Sequence, residues 1–280
     1  VSASTIDAAS ERDAEQLLSV SASVRWAHTL DDWHGILESA LVFVHRAPDG
    51  AIVGTGAVFP FPPDLAAIGM IIVRPEHQGR GLARAMMRRC MASMGTPAPS
   101  FLLIATPQGR PLYEQLGFEV VDHILRMTRA RSVDASPTDG DVVTLAAGDA
   151  DAVYRLDAEA FGADRRRALG PRIARRRRGA LLRRRGVVVG YGLSDGGRAA
   201  ISVGPIVAPD PDGAVAVVRH LAEGESAVRL DVPAEQSQLL SALDALGFER
   251  GDAAPIMRLG GRGLPGNRER LFATASRAIC

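Results

Sequence analysis

One stretch of this 280-residue chain has residue types and spacing suited to chemistry. The apolar run Met70-Ile71-Ile72-Val73 meets Arg74-Pro75-Glu76-His77, then Gln78-Gly79-Arg80-Gly81-Leu82-Ala83, then a segment rich in Ala, Met and Arg. A strand, a polar turn with two glycines around one arginine and a following helix present backbone N–H groups to an anion. Glycine lets the backbone approach a ligand closely, and the helix N-terminus adds its positive dipole. Such a turn predicts a phosphate-bearing cofactor. Other chemistries are poorly served. All 33 basic residues are Arg, which excludes lysine Schiff-base catalysis. The two cysteines, Cys90 and Cys280, give neither a disulfide framework nor metal-ligand spacing. Each is expected to be an idle thiol, and no metal is expected.

The elements that must hold this turn follow from periodicity. A helix is expected over residues 7–20 and another over 29–40, where Trp33 and Leu37 lie on one face. Strands are expected over 41–44 and 51–59, joined by a turn at Pro48-Asp49-Gly50, and over 66–73 into the glycine turn. A helix over 81–94, a buried strand over 101–105, a short helix over 110–116 capped by Gly117 and a strand over 118–127 complete the first half. Residues 132–141 are rich in Ser, Pro, Asp and Gly and read as a linker. The same order then returns: a helix near 149–161, an Arg-rich helical region, strands near 187–193 and 199–207, a helix near 212–222, a strand over 227–232 and a helix closed by Gly247. Leu116-Gly117-Phe118-Glu119 recurs as Leu246-Gly247-Phe248-Glu249, so one fold is repeated. Domains of 1–131 and 142–280 are expected.

Composition narrows the partners. A hydrophobic fraction of 46% supports a substantial core, and a net charge of +1 gives no global pull toward nucleic acid or a membrane surface. No apolar run approaches the roughly 18 residues of a spanning helix. No signal peptide stands at the start of this numbering, so residence in the cytoplasm is expected.

With the repeat in place, the chain resembles the GCN5-related N-acetyltransferase (GNAT) superfamily. Gln78, Gly81 and Ala83 fill its Gln/Arg-x-x-Gly-x-Gly/Ala motif, and Ile71-x-Val73-x-Pro75 looks like its bulged strand. Its later motif, a Tyr on a short helix before Leu-Gly-Phe, is matched by Leu112-Tyr113-Glu114-Gln115-Leu116-Gly117-Phe118. The resemblance implies an α/β fold (α+β, with a mixed sheet) built as tandem GNAT units, the N-terminal one active and the C-terminal one degenerate. It implies acetyl-CoA as cosubstrate. Its pyrophosphate would lie on the amides of Gln78, Gly79, Arg80, Gly81, Leu82 and Ala83, with Arg80 and Arg84 as nearby charge. Ile71, Ile72 and Val73 would pair with the pantetheine arm, and one of their amides would stabilise the oxyanion. Tyr113 would protonate the leaving thiolate, because a phenol keeps its proton at neutral pH. The family's Asn after the next strand is replaced by Thr106, which would make the corresponding contact. The family's Glu base is also absent: that strand reads Ala66-Ala67-Ile68-Gly69-Met70, which leaves ordered water, Glu38 or Asp64 to take the amine's proton.

In the second half Leu243 stands where Tyr113 does, and Asp210-Pro211-Asp212-Gly213-Ala214 stands where the glycine turn does. Acids there would repel phosphate, so this unit is expected to shape the acceptor site or the assembly. Eleven arginines between Arg165 and Arg185 read as a solvated helical face with Leu169, Ile173, Leu181 and Leu182 on its apolar side. The two-domain layout is similar to aminoglycoside acetyltransferases of the kasugamycin 2′-N type, which implies a small-molecule amine acceptor and antibiotic resistance. Trp26, Trp33, His34, Asp31, Asp32 and Glu38 fall in the segment that would form the acceptor wall. A protein or peptide N-acetyltransferase and a non-catalytic acetyl-CoA sensor are the alternatives, and a homo-oligomer is compatible with all three.

Overall fold

The computed structural model describes residues 5–130, 141–196 and 200–277. The expected linker over 132–141 therefore lies outside the described residues, apart from Asp141. The first half contains β1 (Thr5–Ala8), α1 (Ala14–Ser23), α2 (Leu30–Ser39), β2 (Leu41–Arg46), β3 (Ile52–Phe61), β4 (Leu65–Val73), α3 (Leu82–Ala92), β5 (Ser100–Ile104), α4 (Arg110–Gln115) and β6 (Glu119–Arg129). The second half contains β7 (Val142–Thr144), α5 (Ala150–Phe161), α6 (Arg166–Arg175), β8 (Arg178–Arg184), β9 (Val187–Asp195), β10 (Ile201–Val207), α7 (Pro211–Ala222), β11 (Val228–Pro233), α8 (Ser237–Ala245), β12 (Glu249–Leu259) and β13 (Leu271–Ala273).

Two expected elements change character. The helix expected over 7–20 begins later. Thr5–Ala8 pairs with β2, and Ser10 then opens the helical stretch through a reciprocal cap in which its N–H donates to Asp13 at 2.8 Å. The Arg-rich stretch is a helix only as far as Arg175. Beyond it Leu181 and Leu182 point into two different cores, which is strand alternation.

Among the described residues the strands form one continuous mixed sheet, in the order β1-β2-β3-β4-β5-β12-β6-β11-β10-β9-β8-β7, with β13 pairing β10. The halves are joined by exchange. β5 of the first half pairs with β12 of the second, and β11 of the second pairs with β6 of the first. β6 and β12 then pair with each other. Alternation along the strands separates the cores. Ala67, Met70 and Ile72 of β4 face a cluster shared by α1, α2, α5 and α6, which therefore spans both halves. Ala66 and Ile68 face α3 and α4, while Leu182, Val203 and Ile206 face α7 and α8. The shared cluster is reinforced by α2 against α6, where Arg175 pairs with Glu38 and Arg167 Nε donates to the Glu38 carbonyl.

Candidate active site

The site is built where two parallel strands part. β4 and β5 pair only through Leu65/Ser100, Ala66/Phe101 and Ala67/Leu102. Beyond Ala67 the edge of β4 toward β5 has no backbone partner among the described residues. On its other edge β4 stays paired with β3, Ile72 to Thr55 and Val73 to Gly54, with a register shift at Met70 and Ile71. Met70 has φ +55°, a left-handed conformation costly for a residue with a Cβ. The bulge turns the edge of Met70 and Ile71 toward the opening. Ile72 and Val73 are buried, and Ile71 is half-buried against the α3 side.

The strand delivers the chain into the glycine turn. Gln78 Nε2 donates to the Val73 carbonyl at 2.9 Å and its Oε1 accepts from Gln108 at 3.1 Å, so it ties the end of β4 to the start of α4. Gly79 and Gly81 have φ +74° and +77°. Both are exposed, and an added Cβ would meet nothing, so the glycines serve backbone conformation and leave open space in front of the turn. No backbone N–H from Gly79 through Arg84 has an acceptor among the described residues, whereas Ala85 N–H donates to the Gly81 carbonyl and starts the helix. The N-terminus of α3 is thus an uncapped row of donors, and the residues present fit a pyrophosphate there. Arg80 reaches back to the Glu76 carbonyl, and Arg84 is tied to Gln115 of α4. Thr106 Oγ1 accepts from Gly109 N–H at 3.1 Å and starts the turn into α4.

Tyr113 is 8% exposed and packs near Phe118, with ring centroids 6.2 Å apart, in the cluster that holds Met86 and Cys90 of α3. Burial pushes its phenol up to about 12. Its hydroxyl has no hydrogen-bond partner among the described residues. A Cβ on Gly109 would come within 2.9–3.1 Å of the ring and hydroxyl, so the absence of a side chain there gives Tyr113 its place.

The expected acceptor-wall residues are divided. Trp33 is fully buried and its indole donates to Ser21 Oγ at 3.2 Å. Asp32 is exposed and closes the cap of α2 with Thr29. Glu38 lies near the other end of α2, held by Arg175, roughly 9 Å away by helix rise. Asp32 also stands among charges from both halves that the sequence did not disclose. Electrostatic coupling links it there to His28, Asp195 and Arg229. His28 lies between Trp26 and Trp33, with ring centroids 5.9 and 6.0 Å away and the planes tilted, and burial holds its pKa below the ordinary 6.5. Its Nδ1 is buried without a partner. Only the Trp26-x-His28 spacing hinted at this, because Arg172, Asp195 and Arg229 come from distant sequence.

The second half repeats this architecture with every opening filled. β10 and β11 pair in parallel only through Ile201/Val228 to Val203/Leu230. Into the gap beyond runs β13, pairing with β10 at Ile206 and Val207, while Thr274 N–H donates to the Asp231 carbonyl of β11 at 2.9 Å. Leu271, Phe272 and Ala273 are at most 1% exposed. At the start of α7 the Asp210 carboxylate accepts from Gly213 N–H at 2.9 Å and pairs with Arg184. A side-chain anion thus occupies the place that corresponds to the uncapped turn in the first half.

Comparison with known proteins agrees with this geometry. Residues 38–120 and 153–273 each match an acetyltransferase (GNAT) domain family. The uncharacterized N-acetyltransferase YitH of Bacillus subtilis (strain 168) is 29% identical over 225 residues, 79% of each chain. A putative acetyltransferase from Pyrococcus horikoshii superposes with a TM-score of 0.84 at 20% identity, covering 100% of this chain and 97% of its own. A tandem GNAT protein from the clavulanic acid biosynthesis pathway gives 0.66 at 16% identity, covering 92% and 98%.

Proposed function

The chain belongs to the GNAT acetyltransferases, with two such domains in tandem, and from that premise we propose that its first half binds acetyl-CoA and transfers the acetyl group to a primary amine of a small molecule. The observation that carries this reading is the uncapped row of N–H groups from Gly79 to Arg84 at the end of two parted strands. Those groups bind the pyrophosphate, and the free edge of Met70 to Val73 aligns the pantetheine arm. A backbone N–H on that edge stabilises the oxyanion when the amine attacks the thioester in a ternary complex. Tyr113, held as a neutral phenol, donates its proton to the leaving thiolate.

We assign the amine's proton to His28. Burial beside Trp26 and Trp33 keeps it neutral, and Asp32 and Arg229 are the charges facing it. His28 takes the place of the carboxylate base that β4 lacks. The second half supplies the far wall of the acceptor cleft. Within this reading an aminoglycoside would need free carboxylates for its ammonium groups, and of the acids here Asp195 and Asp231 are already paired with arginines. Release of CoA with a panel of amino acids, short peptides, polyamines and aminoglycosides tests the reading. Tyr113→Phe is expected to cut turnover and spare acetyl-CoA affinity, whereas unchanged turnover would remove Tyr113 from the mechanism.

A further inference from the structure

β11 reads Val228-Arg229-Leu230-Asp231-Val232-Pro233, and alternation divides it. Val228, Leu230 and Val232 are buried in the core with α7 and α8, so Arg229 and Asp231 stand on the opposite face. Register places Arg229 beside Thr128 of β6 and Ser202 of β10, and Asp231 beside Arg126. Strand direction then fixes which end of the sheet this is. β5 runs parallel to β4, β12 antiparallel to β5, β6 antiparallel to β12 and β11 antiparallel to β6. The beginning of β11 therefore lies at the end where β4 and β5 part, three strand spacings or roughly 14 Å across from β5, and register carries Arg229 six residues, or about 20 Å, further along the sheet than Ile104. It is the end at which the thioester is delivered.

Two of the three aspartates around Arg229 pair with other arginines, and the third, Asp32, is engaged by Thr29. Asp231 is shared by Arg126 Nη2 at 3.0 Å and Arg277 Nε at 2.8 Å, and Arg277 also holds Asp252. Asp195 is paired with Arg172, and Asp32 is turned onto Thr29. The Arg229 side chain has no hydrogen bond or ion pair among the described residues, although it is half-buried. Burial, and then Arg126 and Arg172, disfavour its charge by more than Asp231 and Asp32 favour it, so its pKa is lowered. Two polar atoms on residues in the field of Arg229, His28 Nδ1 and Arg172 Nε, are likewise buried without partners. A guanidinium withdrawn from water without a partner is costly to fold, and a bound anion offsets that cost.

We propose that Arg229 holds a carboxylate of the acceptor, so that the amine acetylated by this enzyme belongs to a small molecule that also carries a carboxylate. The inference rests on the first half being the acetyl-CoA site. The planar fork of arginine matches a carboxylate bidentately. Of the four arginines here, Arg126, Arg172 and Arg277 each hold an aspartate, and Arg229 is the one whose fork is left open to a carboxylate. The span from the parted strands to Arg229 calls for a carboxylate well removed from the amine, as in a long ω-amino acid or a peptide.

The test is kcat/KM for matched pairs of amines, measured by CoA release with the full chain. ω-Amino acids and dipeptides are compared with their amides and with amines bearing a phosphate in place of the carboxylate. The carboxylate member is expected to be preferred more than tenfold. Arg229→Gln should collapse that ratio toward one, Arg229→Lys should keep part of it, and Arg229→Glu should move the preference toward diamines. Thermal melting of each variant checks that it is folded. Equal use of acid and amide, a preference for phosphate, a ratio unmoved by folded Arg229→Gln, or silence from every carboxylate-bearing amine overturns the inference. Acetyl-CoA affinity by calorimetry is read on the same protein. Binding without a carboxylate preference sinks this inference alone, and absence of binding sinks the reading beneath it.

Discussion

Tyr113 keeps its proton up to about pH 12 because its ring is buried, and that burial depends on a residue with no side chain. Tyr113→Phe removes the donor without emptying the core, so kcat is expected to fall by about 10²- to 10⁴-fold while the Kd for acetyl-CoA stays. Gly109→Ala should also lower kcat, by up to about 10²-fold, because its Cβ displaces the ring from its place. The check is single-turnover kinetics beside a CoA titration. His28 leads to a prediction in pH. Its pKa lies below 6.5, so the neutral base is present at pH 7, and kcat/KM should fall only as pH drops below 6.5. His28→Gln should abolish that acid limb, and a limb left in place would reassign the base. Cys90 does none of this work, since burial pushes its thiol up to about 12. The donor turn and Tyr113 were legible in sequence because each is set by a few adjacent residues. His28 and Arg229 were not, because what marks them is burial and missing partners, which only the folded chain reveals.

At the scale of elements, the same strand–turn–helix unit has two fates. Gly81 starts α3 in a left-handed conformation with no side chain among the described residues capping the helix, whereas the Asp210 side chain caps α7. Gly81→Ala should cost about 1 kcal/mol in stability and weaken acetyl-CoA binding, as measured by urea unfolding and calorimetry. In the second half the gap between β10 and β11 holds β13. Phe272, 1% exposed there, anchors it, so Phe272→Ala is expected to destabilise the chain by about 3–5 kcal/mol. A neutral result would mean that β13 is only loosely seated. The loss of the second anion turn could be read from Asp210 and Asp212. The strand that fills the gap could not, because Leu271-Phe272-Ala273 is too short for periodicity to identify, and its partners lie some 65 and 40 residues earlier in β10 and β11. The arginine run misled for a related reason. Charge density suggested a solvated helix, but Arg165 is buried against Asp157 and the run passes into a strand with leucines on both faces.

At the scale of the molecule, β6 and β12 each complete the sheet beside the other half's strands, so the two units share one fold. Residues 1–130 expressed alone would leave β5 without β12 and are expected to aggregate, whereas a soluble monomer with a cooperative melt would show the exchange to be dispensable. Buried histidines set the acid response. His28, His45 and His220 all have pKa values below 6.5 through burial, so the unfolded chain binds protons first as pH falls. The stability they contribute is fully present above 6.5 and is lost as pH falls toward the folded values, so the melting temperature should decline from that point downward. Tandem repetition was visible in the two Leu-Gly-Phe-Glu copies, while the exchange was not, because either pairing buries the same apolar strands. The central claim is that only one of the two units holds acetyl-CoA. Calorimetric titration of the intact chain with acetyl-CoA tests it most directly. One site per chain, lost in folded Gly81→Asp, is the predicted result. Two sites, or a site that survives Gly81→Asp, would contradict it.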